Sequence, residues 1–418
     1  MSVQSHSVAG VKVINIRPSM TQRRLMMFLA FVFPLAPRLA RAQQAPSPDI
    51  QSLSRQVNDL NKRLLELETR LSPSPAASGA PSWASNLPVK FGGFIDTYYA
   101  YDFDRPPNFD RAYTAQAARA NEFNVNLAYM DATVNSDRVR GRFALQTGNS
   151  VQATYAGEPT VGKVSGPSVS QFIQEAWAGY RATDKLWING GIYFSHIGME
   201  SFISKDNWTY TRSMMGEFSP TYQSGVWAAY QFNDDWSGQL HLINGWQNIS
   251  ENNQNKALGT QLSYAPTDGW SATYNTFWGQ EVGNQGRFLN DFVFKTPAWG
   301  KWQFEASADY GIQHKPAGEG DFSSWYGGSL IGRRQLTQRV AMAARVERFD
   351  DPDQVVVQTG AGAFKTNAAS VNLDVQLQKQ LVWRNELREY WAENAVFPAV
   401  HGLTRTDGYI ATSLGLTF

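Results

Sequence analysis

Residues 369–378 read ASVNLDVQLQ, and this stretch decides the fold. Ala369, Val371, Leu373, Val375 and Leu377 share one face of an extended chain; Ser370, Asn372, Asp374, Gln376 and Gln378 share the other. Strand side chains alternate with a period of two, so ten positions without a miss describe a strand with one apolar and one wet face. A soluble β-sandwich alternates in the same way. What meets the apolar face has to be read from the surrounding sequence.

Short turn signals recur on either side: Asn135-Ser136-Asp137, Thr183-Asp184-Lys185, Asn233-Asp234-Asp235, Pro266-Thr267-Asp268-Gly269, Thr296-Pro297-Ala298, Leu336-Thr337-Gln338 and Lys379-Gln380. Longer polar segments fall between them, near 102–120, 151–169, 195–220, 247–255, 280–287, 313–321, 350–366 and 393–406. Seven short turns and eight long loops join 16 strands, expected to start at Val89, Glu122, Arg138, Ser170, Lys185, Tyr222, Asp235, Lys256, Gly269, Arg287, Trp299, Phe322, Arg339, Asn367, Leu381 and Asp407. This reading puts two hairpin signals, Asn189-Gly190 and Asn244-Gly245, inside strands. Short turns on one side and long loops on the other are the asymmetry of outer-membrane barrels, and an even count leaves no lipid-exposed edge. The expected fold is all-β: a transmembrane antiparallel β-barrel over 89–418. Its last strand, DGYIATSLGLTF, carries Ile410, Leu414, Leu416 and Phe418 on one face. The terminal Phe418 resembles the signal read by the outer-membrane barrel assembly machinery. Aromatics near strand ends (Tyr98, Tyr99, Tyr101, Trp299, Trp302, Trp383, Trp391) suit interfacial girdles.

Composition agrees. Among 418 residues, 42% are apolar, 13% aromatic and only 17% charged, the last below the roughly 25% usual in soluble proteins. Mean hydropathy is −0.39, too polar for a helical membrane protein. No cysteine is present, which excludes disulfide scaffolds and thiolate sites. The formal charge of +1 hides an asymmetry: residues 1–42 hold six basic groups and no acidic one, so the remainder has 31 basic against 36 acidic, a net −5. Without a basic tract there is no support for nucleic-acid binding.

The N-terminus reads as an address. In MTQRRLMMFLAFVFPLAPRLARA (20–42), Arg23 and Arg24 precede the apolar core Leu25 to Ala36, and Ala40-Arg41-Ala42 is an A-x-A cleavage site. This is a secretory signal peptide with cleavage expected after Ala42 and Met20 as the expected start, residues 1–19 lying upstream. Next, Ile50, Leu53, Val57, Leu60, Leu64, Leu67 and Leu71 alternate spacings of three and four, a coiled-coil seam over 43–72. Within RLLELE (63–68), Arg63 can reach Glu68 of a neighbouring chain while Leu64 and Leu67 fill the core, a trimerisation signature. Ile50 and Val57 with leucines at the alternate positions lean towards a dimer, and a helix lying on its own barrel is the third arrangement. Pro73 and Pro75 end the helix, and 73–88 is a linker.

The segments FGGFIDTYYAYDFDRPP, NEFNVNLAYMDATV, QFIQEAWAGY, GGIYFSHIGMESFISKDNWTYTRS, SPTYQSGVWAAYQF and LHLINGWQNISENNQNKALGTQLSY resemble the outer-membrane beta-barrel porin family that includes OmpL-like proteins. The likeness is good over 89–280 and weaker over 281–418. It implies a porin in the bacterial outer membrane and names no solute. A looser likeness is to phosphate- and anion-selective porins with coiled-coil N-termini, and the helical extension is similar to that of trimeric porins.

Sixteen strands enclose an aqueous lumen, whereas eight are filled by side chains. Transport would be passive, with a large, ohmic conductance, and lipid and lipopolysaccharide would surround the barrel. Alternation points Asp96, Arg138, Arg140, Arg142, Glu305, Asp309, Arg345, Glu347, Asp374, Arg384, Glu386 and Arg388 into the lumen. Arg138, Arg140 and Arg142 form a basic ladder on one strand, of the kind that guides anions or pairs with acids across the wall. The longest loop, 195–220, carries Glu200, Lys205, Asp206, Arg212 and Glu217, which would set a constriction if it folds inward.

Other functions fit less well. A barrel enzyme needs a nucleophile or activated water beside a base, yet the four histidines beyond the signal peptide (His196, His241, His314, His401) sit in no hydrolase motif or metal spacing. No enzyme activity, cofactor or metal is expected. A structural or adhesive barrel without flux could share the strand count. A siderophore transporter needs about 22 strands and a plug domain.

Overall fold

The computed structural model describes residues 5–8, 11–14 and 89–418, apart from 282, 284, 317 and 318. The chain divides into Met1–Leu87 and Pro88–Phe418. In the first unit, Ser5–Val8 and Val11–Ile14 pair as an antiparallel hairpin. The cleavage site, the 43–72 helix and the linker lie outside the described residues.

The second unit is a closed antiparallel barrel. Its strands are β1 Val89–Asp102, β2 Phe123–Asn135, β3 Val139–Thr147, β4 Ile173–Thr183, β5 Leu186–Phe194, β6 Tyr222–Gln231, β7 Trp236–Ile243, β8 Ala257–Tyr264, β9 Ser271–Gln280, β10 Gly286–Lys295, β11 Trp302–His314, β12 Phe322–Gln335, β13 Val340–Asp351, β14 Phe364–Gln378, β15 Leu381–Ala392 and β16 Thr406–Thr417. Every start lies within three residues of the expected one. Asn189-Gly190 is inside β5, but β7 ends at Ile243, so Asn244-Gly245 opens the fourth loop and the strand count is unchanged. Each strand bonds to the next, and β16 closes on β1 from Tyr409↔Asp102 to Thr417↔Phe94.

Closure is completed by the C-terminal residue. Phe418 donates to the Gly93 carbonyl at 3.1 Å and accepts from its N–H at 2.9 Å. A Cβ on Gly93 would stand 2.4 Å from the Phe418 ring. Only glycine leaves room for that ring against the first strand.

Outward side chains are apolar and bare: Phe91, Phe123, Met130, Leu240, Trp278, Phe292 and Val346 are all more than half exposed. In the deciding segment Val371 and Leu377 are exposed, while Ser370 and Asn372 are buried within. A lipid annulus is the solvent that removes such an exposed apolar face from water. Among the described residues no helix is long and apolar enough to cross a membrane. On the turn side the outer face carries a girdle in which Trp236 packs on Tyr264, Trp270 on Phe294 and Trp299, and Trp302 on Phe304. Tyr98 does not belong to any girdle. It points inward, buried, and donates to Asn149 at 2.9 Å.

The loops hold short helices: α1 Asn149–Tyr155 and α2 Pro167–Ser170 in loop two, α3 Met214–Phe218 in loop three. Loop eight holds a hairpin of Phe397–Ala399 with Gly402–Thr404.

Candidate functional site

Loop three, between β5 and β6, folds into the lumen, and the wall charges hold it there. Its first anchor is Gly198, whose N–H donates to Asp291 of β10 at 2.7 Å. Ser204 donates to Asp96 of β1 at 2.6 Å. Asn207 is held at 2.9 Å through its carbonyl by Arg384, which also reaches the Ser204 carbonyl and pairs with Asp374 at 2.8 Å. Tyr210 donates its N–H to Asn372 at 3.1 Å, Thr211 to Glu386 at 2.6 Å, and Met214 to Glu347 at 2.6 Å. Arg388 binds the Arg212 carbonyl at 2.7 Å. Ser219, at the far end, donates to Asp309 at 3.0 Å.

At the centre lies an ion network with no access to water. Arg345 contacts Glu200 at 3.2 Å, Glu347 at 3.1 Å and Glu386 at 3.2 Å, and Arg388 pairs with Glu347. Glu200 also accepts from the Ser213 N–H at 2.7 Å and from its hydroxyl. Two cations and three carboxylates leave one negative charge, which the loop's N–H groups face. Buried charges persist only when paired and hydrogen-bonded, and here every carboxylate is. Burial pushes the Glu200 carboxyl above its ordinary range, and Arg345 opposes that rise.

Arg345, Glu347, Glu386, Arg388 and Asp96 therefore do not border open water, as alternation alone suggested, and Arg384 is covered except where it edges the turn-side cavity. They point inward, but loop three lies over them. Asp374 is half-buried, at the edge of the covered patch. Within loop three, Arg212 pairs with Glu217 at 2.9 Å and both are buried, whereas Lys205 and Asp206, paired at 2.8 Å, face the turn side. Across the lumen the basic ladder is shorter than expected. β3 starts at Val139, so Arg138 sits exposed in the turn before it. Arg140 donates to Asn189 at 2.8 Å and stacks on Trp187 at 4.4 Å, and Arg142 pairs with Asp131 at 3.0 Å and with Glu175. One rung is thus neutralised in place.

The lumen has two unlike halves. On the loop side, one inward residue from each strand (Ala100, Asn126, Gln146, Gln174, Tyr193, Gln223, His241, Ala257, Phe277, Leu289, Gln313, Trp325, Phe349, Phe364, Tyr390, Tyr409) is 8% exposed or less. Loops fill this level: Tyr113 of loop one meets Phe218, Phe364 and Phe397, and Trp246 of loop four meets Phe277 and Trp325. Trp325 lies where a Cβ on Gly311 would be 2.1 Å away. The apolar loop positions gave no periodic signal, so sequence reasoning missed this packing. On the turn side Thr133, Trp187, Gln231, Gln239, Gln261, Lys295, Gln303, Arg333 and Gln376 stay half-buried or exposed.

Of the histidines, His196 stacks on His241 at 4.1 Å and bridges Gln223 and the Thr276 carbonyl at 3.0 and 3.1 Å. Burial holds the His196 ring below its ordinary range, hence neutral. Asp102, Asp104 and Asp407 bring carboxylate oxygens within 4.8 Å of one another, beside the buried Arg111, which stacks on Tyr409.

A closed barrel with an apolar exterior and an inward-folded third loop defines an outer-membrane channel protein. The chain belongs to the family described as "Putative beta-barrel porin-2, OmpL-like", matched over residues 88–418. Its place is the bacterial outer membrane. No curated protein matches. Among solved structures it is similar to the outer membrane channel DcaP of Acinetobacter baumannii, at 11% identity and TM-score 0.54, covering 80% of this chain and 98% of that one. OmpT of Vibrio cholerae matches at 9% identity and TM-score 0.52, over 79% and 97% of the two chains. An anion-selective porin from Comamonas acidovorans matches at 10% identity and TM-score 0.50, over 79% and 100%. At these identities the likeness is one of fold.

Proposed function

We propose that the barrel admits small hydrophilic solutes across the outer membrane by passive diffusion, along a path narrowed by loop three. The observation that carries this reading is the set of wall-to-loop bonds from Asp96, Arg345, Glu347, Arg384, Glu386 and Arg388, which hold a constriction inside a closed cylinder. Such a device sets bore and selectivity and performs no chemistry, in keeping with a channel and not an enzyme. The packed loop half argues for a small conductance rather than the large one that 16 strands alone imply.

The reading extends to assembly. After export and cleavage at Ala42, the 43–72 helix would join three chains through Arg63, Leu64, Leu67 and Glu68, with 73–88 as tether. OmpT of Vibrio cholerae is described in a trimer form. Phe418 would be the residue presented to the assembly machinery, and the apolar girdle would meet lipid and lipopolysaccharide. A structural barrel without flux is the second reading, favoured by the same packed loop half. Planar-bilayer recording separates the two: small ohmic steps in groups of three support the porin, and a silent membrane containing folded barrels supports the structural role.

A further inference from the structure

The turn half of the lumen contains a cavity of about 590 Å³ between loop three and the wall of β12–β16. Its ceiling is the loop-three segment Lys205 to Trp208, and its mouth opens between the short turns at 336–339 and 379–380. Seven charged groups border it, five basic and two acidic: Lys205, Arg333, Arg339, Lys379 and Arg384 against Asp206 and Asp374. Both acids are already taken, Asp206 by Lys205 and Asp374 by Arg384. The next carboxylate along the wall, Glu305, is bound by Lys295 at 3.1 Å. Among the described residues, Arg333, Arg339 and Lys379 enter no ion pair. Arg333 lies within electrostatic reach of Glu305, and Arg339 and Lys379 meet no further acid in the lining; three cations outside any ion pair around one concave space raise the local concentration of anions.

We propose that this vestibule binds small organic anions carrying two or more negative charges and loads them at the periplasmic mouth. The inference rests on the porin reading and adds the solute class and the side of recognition. Size and chemistry suit an anion larger than a simple counter-ion. The cavity is far larger than a chloride ion, and three separate cations match an anion whose charges are spread over several atoms. Gln335, Gln338, Gln376 and Gln380 add amide donors and acceptors for hydroxyl groups, and the half-buried Trp208 offers an apolar face to a carbon skeleton. Arg333 is legible from alternation on β12, whereas Arg339 and Lys379 are turn residues that the strand period does not reach.

The test uses citrate as probe, with uncharged glucose as control, on the full chain reconstituted in planar bilayers and, separately, in detergent. Citrate added on the turn side should reduce current at a concentration about tenfold lower than citrate added on the loop side, and glucose should do neither. The variant R333Q/R339Q/K379Q, changed only at turn-side positions outside the loop-three network, should abolish that side preference and weaken citrate binding by about tenfold in titration calorimetry. Equal block from both sides, or unchanged binding in the triple variant, overturns the proposal. A chain that conducts nothing yet binds citrate through these residues would defeat the porin reading and leave the vestibule standing. A chain that conducts without citrate binding would do the reverse.

Discussion

The loop half and the turn half of one lumen are built by the same strands, yet they solve opposite problems. Towards the loops, tyrosines, phenylalanines and tryptophans from the wall interlock with residues of loops one, three, four and eight, and Arg345 and Arg388 below them are paired with buried glutamates. Towards the turns, glutamines and unpaired cations surround open space. The difference teaches where control resides. A lumen lined evenly would select by width alone. This one places a packed gate above a charged vestibule, with loop three as the floor of one and the ceiling of the other.

The sharpest way to break the contrast is to remove cations from the network. R345A/R388A leaves Glu200, Glu347 and Glu386 buried without a cation, a loss of about 3–5 kcal/mol for a broken buried pair. Loop three should detach, the heat-modifiability midpoint in detergent should fall, and conductance should rise several-fold. An unchanged midpoint would mean that the network is solvated.

Phe218→Ala comes next. It removes a ring that packs on Phe349 at 5.0 Å and Phe364 at 5.4 Å, and a core truncation of this kind costs about 3 kcal/mol. Loops one and three should become sensitive to protease while the strands stay intact; resistant loops would deny that the aromatic layer holds them.

Glu200→Gln is milder and bears on pH. Because the folded carboxyl is held above its unfolded value, the folded state binds more protons, so stability falls as pH rises from the ordinary glutamate range through the raised one. The variant should lose that component of the pH profile, and a profile identical to the parent's would remove Glu200 from the account. R138A is expected to do least, since that side chain sits exposed in a turn: reversal potentials in asymmetric salt should be unchanged, whereas R140A/R142A should shift preference towards cations.

Much of this was legible beforehand. ASVNLDVQLQ, the seven short turns and Phe418 determine strands, count and closure, because lipid demands a strict period of two and no free edge. Alternation also pointed Arg345, Glu347, Arg384, Glu386 and Arg388 inward. It could not say that a loop would cover them, since coverage depends on Thr211, Met214 and Asn207 meeting the wall through backbone groups that carry no residue-type signal. The missing first rung of the Arg138–Arg142 ladder has a simpler cause. Strand ends depend on where the turn's hydrogen bonds begin: Ser136 accepts from Val139, so the strand opens at Val139, and the Arg138 carbonyl still accepts from Arg181 at 2.9 Å while its side chain stays exposed in the turn.

The central claim is that loop three, pinned by buried charge, governs passage through a closed barrel. Single-channel conductance of the parent beside a variant in which residues 199–217 are replaced by a short glycine-serine bridge tests it most directly. A small parental step with a several-fold larger step in the shortened chain is the result expected. Equal steps, or a shortened chain that conducts less, would contradict it.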